Sequence, residues 1–310
     1  MRCTAVFNTE NNRGENMENK VYDLAVLGHY TKDTIKINNV TKHVDGGAVN
    51  YGAHMAARLG LKVAAITRLA AEDNHTVRQL EKAGVEVYVT HTPQSTTLVL
   101  EYPTNNLDRR IIHFQSSAGP FTVDEVKDIN SRVFAIGPSI RGEVPLEVVE
   151  KIREKDTMIS LDVQGYVRVV ENNILVDREW PDIKKYLALV DVLKTDAVEA
   201  QGLTGETDIR RAARILAGFG PKEVVLTHRK GILVYDGRTY YEAVFYPKQL
   251  VGRSGRGDTV ISTYMARRLH NAPREALNWA AAAASLKMEA EGPFKGSKEE
   301  IEDLLARKYK

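Results

Sequence analysis

Gly252-Arg253-Ser254-Gly255-Arg256-Gly257-Asp258-Thr259 stands directly ahead of an amphipathic run that places Val260, Ile261, Tyr264, Met265 and Leu269 on one helical face. Glycines at the mouth of a helix let backbone N–H groups crowd around an anion at its positive end. Asp258 repels that anion and so suits a different role, accepting the proton of a hydroxyl that attacks a phosphoryl group. A helix N-cap is the plainer alternative for the same residue.

The rest of the chain sets the frame. It has 310 residues, 43% hydrophobic and 27% charged, enough for one large domain with a substantial core. Lys and Arg total 43 against 41 Asp and Glu, so no net field favours nucleic acid or an anionic membrane. A single cysteine, Cys3, excludes an internal disulfide framework and a multi-cysteine metal site. No apolar run reaches the ~20 residues that cross a bilayer. Residues 1–20 are polar and read as a disordered leader, with Met17 as a second candidate start. The cytoplasm is the expected location.

From Tyr22 onward, short apolar runs alternate with amphipathic ones. Tyr22 to Gly28, Lys62 to Thr67, Val85 to Thr90, Arg132 to Ile136, Met158 to Val163, Asp191 to Lys194 and Glu223 to Thr227 read as strands. Between them fall helices: a small-residue one from Gly46-Gly47 to Gly60, then Glu72 to Ala83, Pro145 to Lys155, Asp182 to Leu189 and Ile209 to Phe219. Thr122-x-x-Glu125 and Ser297-x-x-Glu300 are capping boxes, and a further helix begins near Pro273. Asp236-Gly237 joins two strands as a hairpin. This alternation predicts an α/β fold, a mostly parallel sheet covered by helices on both faces. Asp33 to Val44, Thr96 to Tyr102 and Arg109 to Gln115, the last two around a Thr104-Asn105-Asn106 turn, stand outside it as a small separate sheet.

No Walker A sequence, strand–GxGxxG–helix unit or Gly-x-Ser-x-Gly elbow occurs. His54, His113 and His228 lack metal-ligand spacing. Gly46-Gly47-x-x-Asn50 in the first quarter, paired with Gly255-x-Gly257-Asp258 before a helix in the last, resembles the ribokinase family, also called the PfkB carbohydrate kinases. The resemblance runs from Tyr22 to the last helix. It implies a ribokinase-like three-layer α/β/α core over residues 21–310, with lid strands from about 33–45 and 95–118. It also implies transfer of the γ-phosphoryl group of ATP to a hydroxyl, with magnesium.

On that resemblance Asp258 is the base, and the amides of Gly255, Arg256 and Gly257 form the anion hole. Asp33, Gly46, Gly47 and Asn50 bind the substrate; read without the family, Asn50 is an ordinary helix N-terminal residue. Asp196-Ala197-Val198-Glu199 stands where the family usually has Asn-x-x-Glu, which assigns Glu199 to magnesium; a solvated helix carboxylate is the alternative. Thr227 to Gly231 matches a turn near the nucleotide, and Ala280 to Met288 a helix beside the adenine. Three departures stand out. Arg256 replaces a small residue, Arg253 and Ser254 replace two threonines, and Gly252 replaces an aspartate, which puts in doubt the potassium site that some members have nearby. Arg253 or Arg256 supplies charge to the triphosphate, or both lie in solvent.

Asp162-Val163-Gln164-Gly165-Tyr166-Val167-Arg168 follows a strand and projects from its carboxyl end, the usual ligand edge of such sheets. It resembles the Asp-x-Gln-Gly-aromatic-x-Arg of archaeal inositol kinases and their bacterial relatives. Gln164 can donate and accept toward vicinal hydroxyls, and Arg168 can bind hydroxyls or a carboxylate; a plain turn and a surface arginine is the other reading. A nucleoside kinase would want an aromatic sandwich, for which only Tyr166 is near. A phosphofructokinase would want several basic residues, for which Arg168, Arg109 and Arg110 are available. The expectation is an ATP- and magnesium-dependent kinase acting on a small polyol, cyclitol or sugar acid, without nucleic-acid or membrane partners. A nucleoside kinase and a ligand sensor without transfer are the competing readings. The lid edge is a candidate for homodimer pairing.

Overall fold

A computed structural model describes residues 20–104 and 110–309. Cys3, Met17 and all of the leader but Lys20, together with Asn105, Asn106 and Arg109, lie outside the described residues.

Two sheets carry the fold. The larger has nine strands in the order Tyr240–Val244, Gly231–Tyr235, Glu223–Thr227, Val192–Asp196, Met158–Asp162, Val133–Ile136, Leu24–Leu27, Val63–Leu69, Glu86–His91. Every pairing from Glu223–Thr227 to Glu86–His91 is parallel; the hairpin through Asp236-Gly237 adds two antiparallel strands at one edge. Successive strand side chains point to opposite faces, and here both faces are apolar. Ala25, Leu27, Phe134, Ile136, Ile159 and Leu161 pack on one side with Val148, Val149, Ile152 and Leu216. Leu24, Val26, Val133, Ala135 and Val192 pack on the other with Val260, Ile261, Tyr264, Met265 and Ala280. Helices Leu146–Arg153 and Ile209–Ala217 thus cover one face, and Arg256–Arg268 and Pro273–Lys287 the opposite one. The three layers expected from the alternation are present.

The smaller sheet has six strands in the order Arg168–Glu171, Ile174–Asp177, Ile111–Ser116, Thr96–Tyr102, Thr31–Ile37, Val40–Gly46. Its pairing of Thr31–Ile37 with Thr96–Tyr102 is parallel and sets Asp33 beside Leu98 and Ile35 beside Leu100. Leu98, Leu100 and Ile112 pack with Ile140 and Leu175 in a small separate core. The hairpin Arg168–Asp177 joins this sheet without having been expected there from the sequence. It turns on Asn172 and Asn173, both at positive φ (49° and 60°), the conformation that two-residue hairpin turns require.

The small-residue helix starts later and differently than the sequence suggested. Residues Val49–Ala53 form a π-turn, and the α-helix proper spans His54–Arg58. Tight packing explains the small residues: a Cβ on Gly52 would come within 2.5 Å of Ser262 Oγ. Among the described residues no helix is long and apolar enough to cross a membrane.

Candidate active site

The parallel strands end on one edge, and their carboxyl ends feed a cleft roofed by the smaller sheet. Thr31, Asp33, Leu98, Leu100, Arg110 and Ile112 line it from above. Gly47, Ala48, Tyr51, Ser139, Asp162, Gln164, Ser254, Gly255 and Asp258 line it from the core, and Arg168, at the start of a strand of the smaller sheet, joins them. The structure therefore brings Asp258, Gly255, Asp33, Gly47, Gln164 and Arg168, drawn from distant parts of the chain, onto one cavity.

Asp258 does not cap its helix. The N-cap of Arg256–Arg268 is Gly255, in the left-handed region at φ 74°, and Asp258 is the third helical residue. Gly255 is required twice over, because an added Cβ would also lie 2.1 Å from the Tyr51 ring. Burial pushes the Asp258 carboxyl up to about 6; Asp162 adds to the rise, and Lys194 and Lys287 oppose it. It is ionised at neutral pH and close to the range in which a carboxylate accepts a proton effectively.

Across the cavity, Asp33 is likewise pushed up to about 6 by burial, against the Thr31 hydroxyl and the positive charges of Arg110 and Arg168. Its Oδ1 is buried without a hydrogen-bond partner. An acceptor so placed can take a hydrogen bond from a donor such as a ligand hydroxyl. Gly46 lies against the same carboxylate, with space for no side chain: a Cβ there would sit 2.4 Å from Asp33 Oδ2. Asn50 is buried behind the cleft wall rather than on it. Its Nδ2 donates to the Asp45 carbonyl at 2.7 Å, tying the diglycine turn to the lid strand, and it stands second in the helical turn Val49–Ala53, as the plainer reading had it.

The donor side is less open. Glu199 is 6% exposed, not solvated. Its Oε2 accepts from the Asp196 N–H at 2.8 Å, completing a capping box. Burial pushes this carboxyl up to about 7, with Lys194 opposing. Arg256 lies over the Phe245 ring, 5.5 Å from its centroid, so it is not a solvent arginine. The Arg253 carbonyl accepts the Arg256 N–H at 3.1 Å. Thr227 is buried with its hydroxyl on the Thr195 carbonyl at 3.4 Å, and Gly231 lies in the following strand, against Ala243. Neither lines the cleft. The helix face expected beside an adenine is covered by the chain itself. Tyr246 N–H donates to Ser285 Oγ, Lys248 N–H to Glu289 Oε1, and Val251 N–H to the Met288 carbonyl.

Sequence reading missed two groups at the centre. Lys194, 4% exposed, binds Asp162 Oδ2 at 2.9 Å and sits under the loop that opens the Asp258 helix: a Cβ on Gly257 would meet its Nζ at 2.9 Å. Burial alone would lower this lysine, but Asp162, Glu199 and Asp196 more than reverse that and hold it above its ordinary value. A lysine inside a buried strand run, Val192-Leu193-Lys194-Thr195, was the available signal. Glu143 was the second. Fully buried, it accepts the N–H groups of His29 and Ser139, both at 2.7 Å, and so fixes the loops at the ends of two central strands. Nothing in its local sequence marks it.

The chain belongs to the pfkB family of carbohydrate kinases, whose sequence pattern it matches over residues 18–300. It is 35% identical to a pyrophosphate-dependent kinase of the ribokinase family solved with a pyrophosphate analogue and myo-inositol, with a TM-score of 0.83 over 91% of this chain and 99% of that one. A pyrophosphate-dependent myo-inositol-1 kinase, doubly substituted to become a myo-inositol-3 kinase, is 34% identical with a TM-score of 0.84, covering 93% of this chain and all of the other. A cytidine kinase of Thermococcus kodakarensis is 26% identical over 82% of this chain and 91% of its own length. The likeness to Arabidopsis thaliana ribokinase, at 19% identity and a TM-score of 0.72, is one of fold. The chain is thus a kinase fold with a small-molecule acceptor cleft and a phosphate-donor side.

Proposed function

We propose that the protein transfers a phosphoryl group from pyrophosphate to a hydroxyl of a cyclitol such as myo-inositol. The observation that carries this reading is the shared cavity: Asp258 and the Gly255 nest at its floor, with Asp33, Gln164 and Arg168 around it. The acceptor hydroxyl oxygen attacks the phosphorus, the bond to the leaving phosphate breaks, and the hydroxyl proton passes to the Asp258 carboxylate. The amides of Gly255, Arg256 and Gly257 face the transferring group at the positive helix end, and the lid excludes water. Asp33 accepts one acceptor hydroxyl, while Gln164 and Arg168 hold others.

A nucleobase finds little here. Tyr166, the one aromatic expected to flank a base, is 2% exposed and stacked on Trp180 with centroids 4.4 Å apart. For the donor, the sequence suggested ATP. Pyrophosphate is favoured by the relatives above 30% identity and by the covered face along Ala280 to Met288, while Arg256 and Lys194 offer charge to a compact anion. Magnesium takes few carboxylates and several waters, and no group of three or more potential ligands exists among the described residues. Glu199 suits that limited role, since both hydrogen bonds of its carboxylate fall on Oε2 and leave Oε1 to a bound water. Magnesium, when bound, would neutralise donor charge.

The test is a matrix of donors (pyrophosphate, ATP) against acceptors (myo-inositol, ribose, fructose, gluconate, cytidine, adenosine) read by phosphorus NMR. Ester formation from pyrophosphate and myo-inositol is expected. Transfer only from ATP, or only to a nucleoside, overturns the donor or acceptor assignment, and no transfer in any cell overturns the reading.

A further inference from the structure

A second lysine, at the end of helix Pro273–Lys287, reaches the Gly255 loop through the Tyr51 ring. Lys287 is 2% exposed, and its Nζ lies over the Tyr51 ring, 5.4 Å from the centroid. The same ring packs against Gly255 so closely that no side chain could stand there. The carboxylates that act on Lys287 are Asp258 and Glu291. Glu291 is already engaged by Lys42 at 2.7 Å, across to the lid strand. A buried ammonium without a close counter-ion is costly, by several kcal/mol in general, and packing alone gives no reason to keep one. Burial lowers it to about 8, with Asp258 and Glu291 opposing.

We propose that Lys287 is a positioning residue for the transfer: set behind Tyr51, its positive charge acts on the Gly255 nest and stabilises the Asp258 carboxylate. Lys194 meets the loop directly at Gly257, and Lys287 reaches it at Gly255 through the Tyr51 ring. The groups facing Asp258 are Asp162, Lys194, Lys287 and the Tyr51 hydroxyl, each from a different element. Those facing Lys287 are Asp258, Glu291 and Tyr51. Removing Lys287 leaves Lys194 alone among the lysines to offset the charge of Asp162 on Asp258.

This inference rests on Asp258 being the base. Lys287→Met and Lys287→Gln remove the charge at similar volume, and thermal melts identify which variant is folded. The acid limb of kcat/KM against pH should move up by about one pH unit in the folded variant, so that its deficit is larger at pH 6 than at pH 8. In Lys287→Ala, ethylammonium should restore part of the turnover. A deficit equal at all pH values, with no response to ethylammonium, overturns the proposal. If the unaltered protein transfers no phosphoryl group, the functional reading fails instead, and the two failures are distinct.

Discussion

Lys194 Nζ and Asp162 Oδ2 lie 2.9 Å apart, both almost fully buried, between two neighbouring central strands and directly under the loop that precedes Asp258. The pair ties the strand that leads into Gln164 to the strand that lies under Gly257. Asp162 lines the cleft and receives the Gln164 N–H at 3.0 Å, while Lys194 touches the space over Gly257.

Breaking a buried pair by removing one member leaves the other uncompensated. Lys194→Met should therefore destabilise the protein by about 3 kcal/mol or more. Urea denaturation of the unliganded protein measures this. A loss below about 1 kcal/mol would mean that Asp162 finds another partner or protonates at little cost.

Gly255→Ala tests the geometry of the nest. Its residue must sit at φ 74° against the Tyr51 ring, so even a methyl group forces the loop to move. Turnover should fall by about 100-fold or more, as when oxyanion-type donors are displaced, with Tm changed far less. Turnover within a factor of about three of the original would show that these amides do not meet the transferring group.

The parallel core of the large sheet, both layers of helices and the separate lid were legible in the sequence because each rests on local signals: apolar runs, glycine stops, capping boxes. The Arg168–Asp177 hairpin was not, although Asn172-Asn173 carries the same turn signal as Asn38-Asn39 in the lid's first hairpin. Its strands are short and follow a motif that drew attention for chemistry instead. Asp258, Gly255, Asp33 and Gln164, which share one cavity, were singled out through glycine spacing and family resemblance. Lys194, Glu143 and Lys287 were missed because a buried charge is recognisable only once its surroundings are known; Lys194 interrupts an apolar run, whereas Glu143 follows Arg141-Gly142 in a segment that reads as an ordinary polar loop.

Acidity should switch the enzyme off with a single midpoint region. Asp258 and Asp33 are both raised from 3.8 to about 6, and both act as carboxylates. The reaction rate should rise with pH through that value. Stability should move the other way. A carboxyl whose folded pKa exceeds its unfolded one binds more protons when folded, so the unliganded protein loses stability as pH rises from about 4 to 6. Glu143, raised from 4.5 to about 7, extends this window upward. Rate profiles and melting curves between about pH 4.5 and 8 should show these opposite slopes; parallel slopes would contradict the assignment.

The most direct measurement is the turnover and ligand binding of Asp258→Asn. The substitution preserves shape and removes only the capacity to accept the proton. It should leave acceptor and donor binding, read by calorimetry, within a few-fold of the original while lowering kcat by about 1,000-fold or more. Near-normal kcat with intact binding would contradict the claim that Asp258 takes the hydroxyl proton.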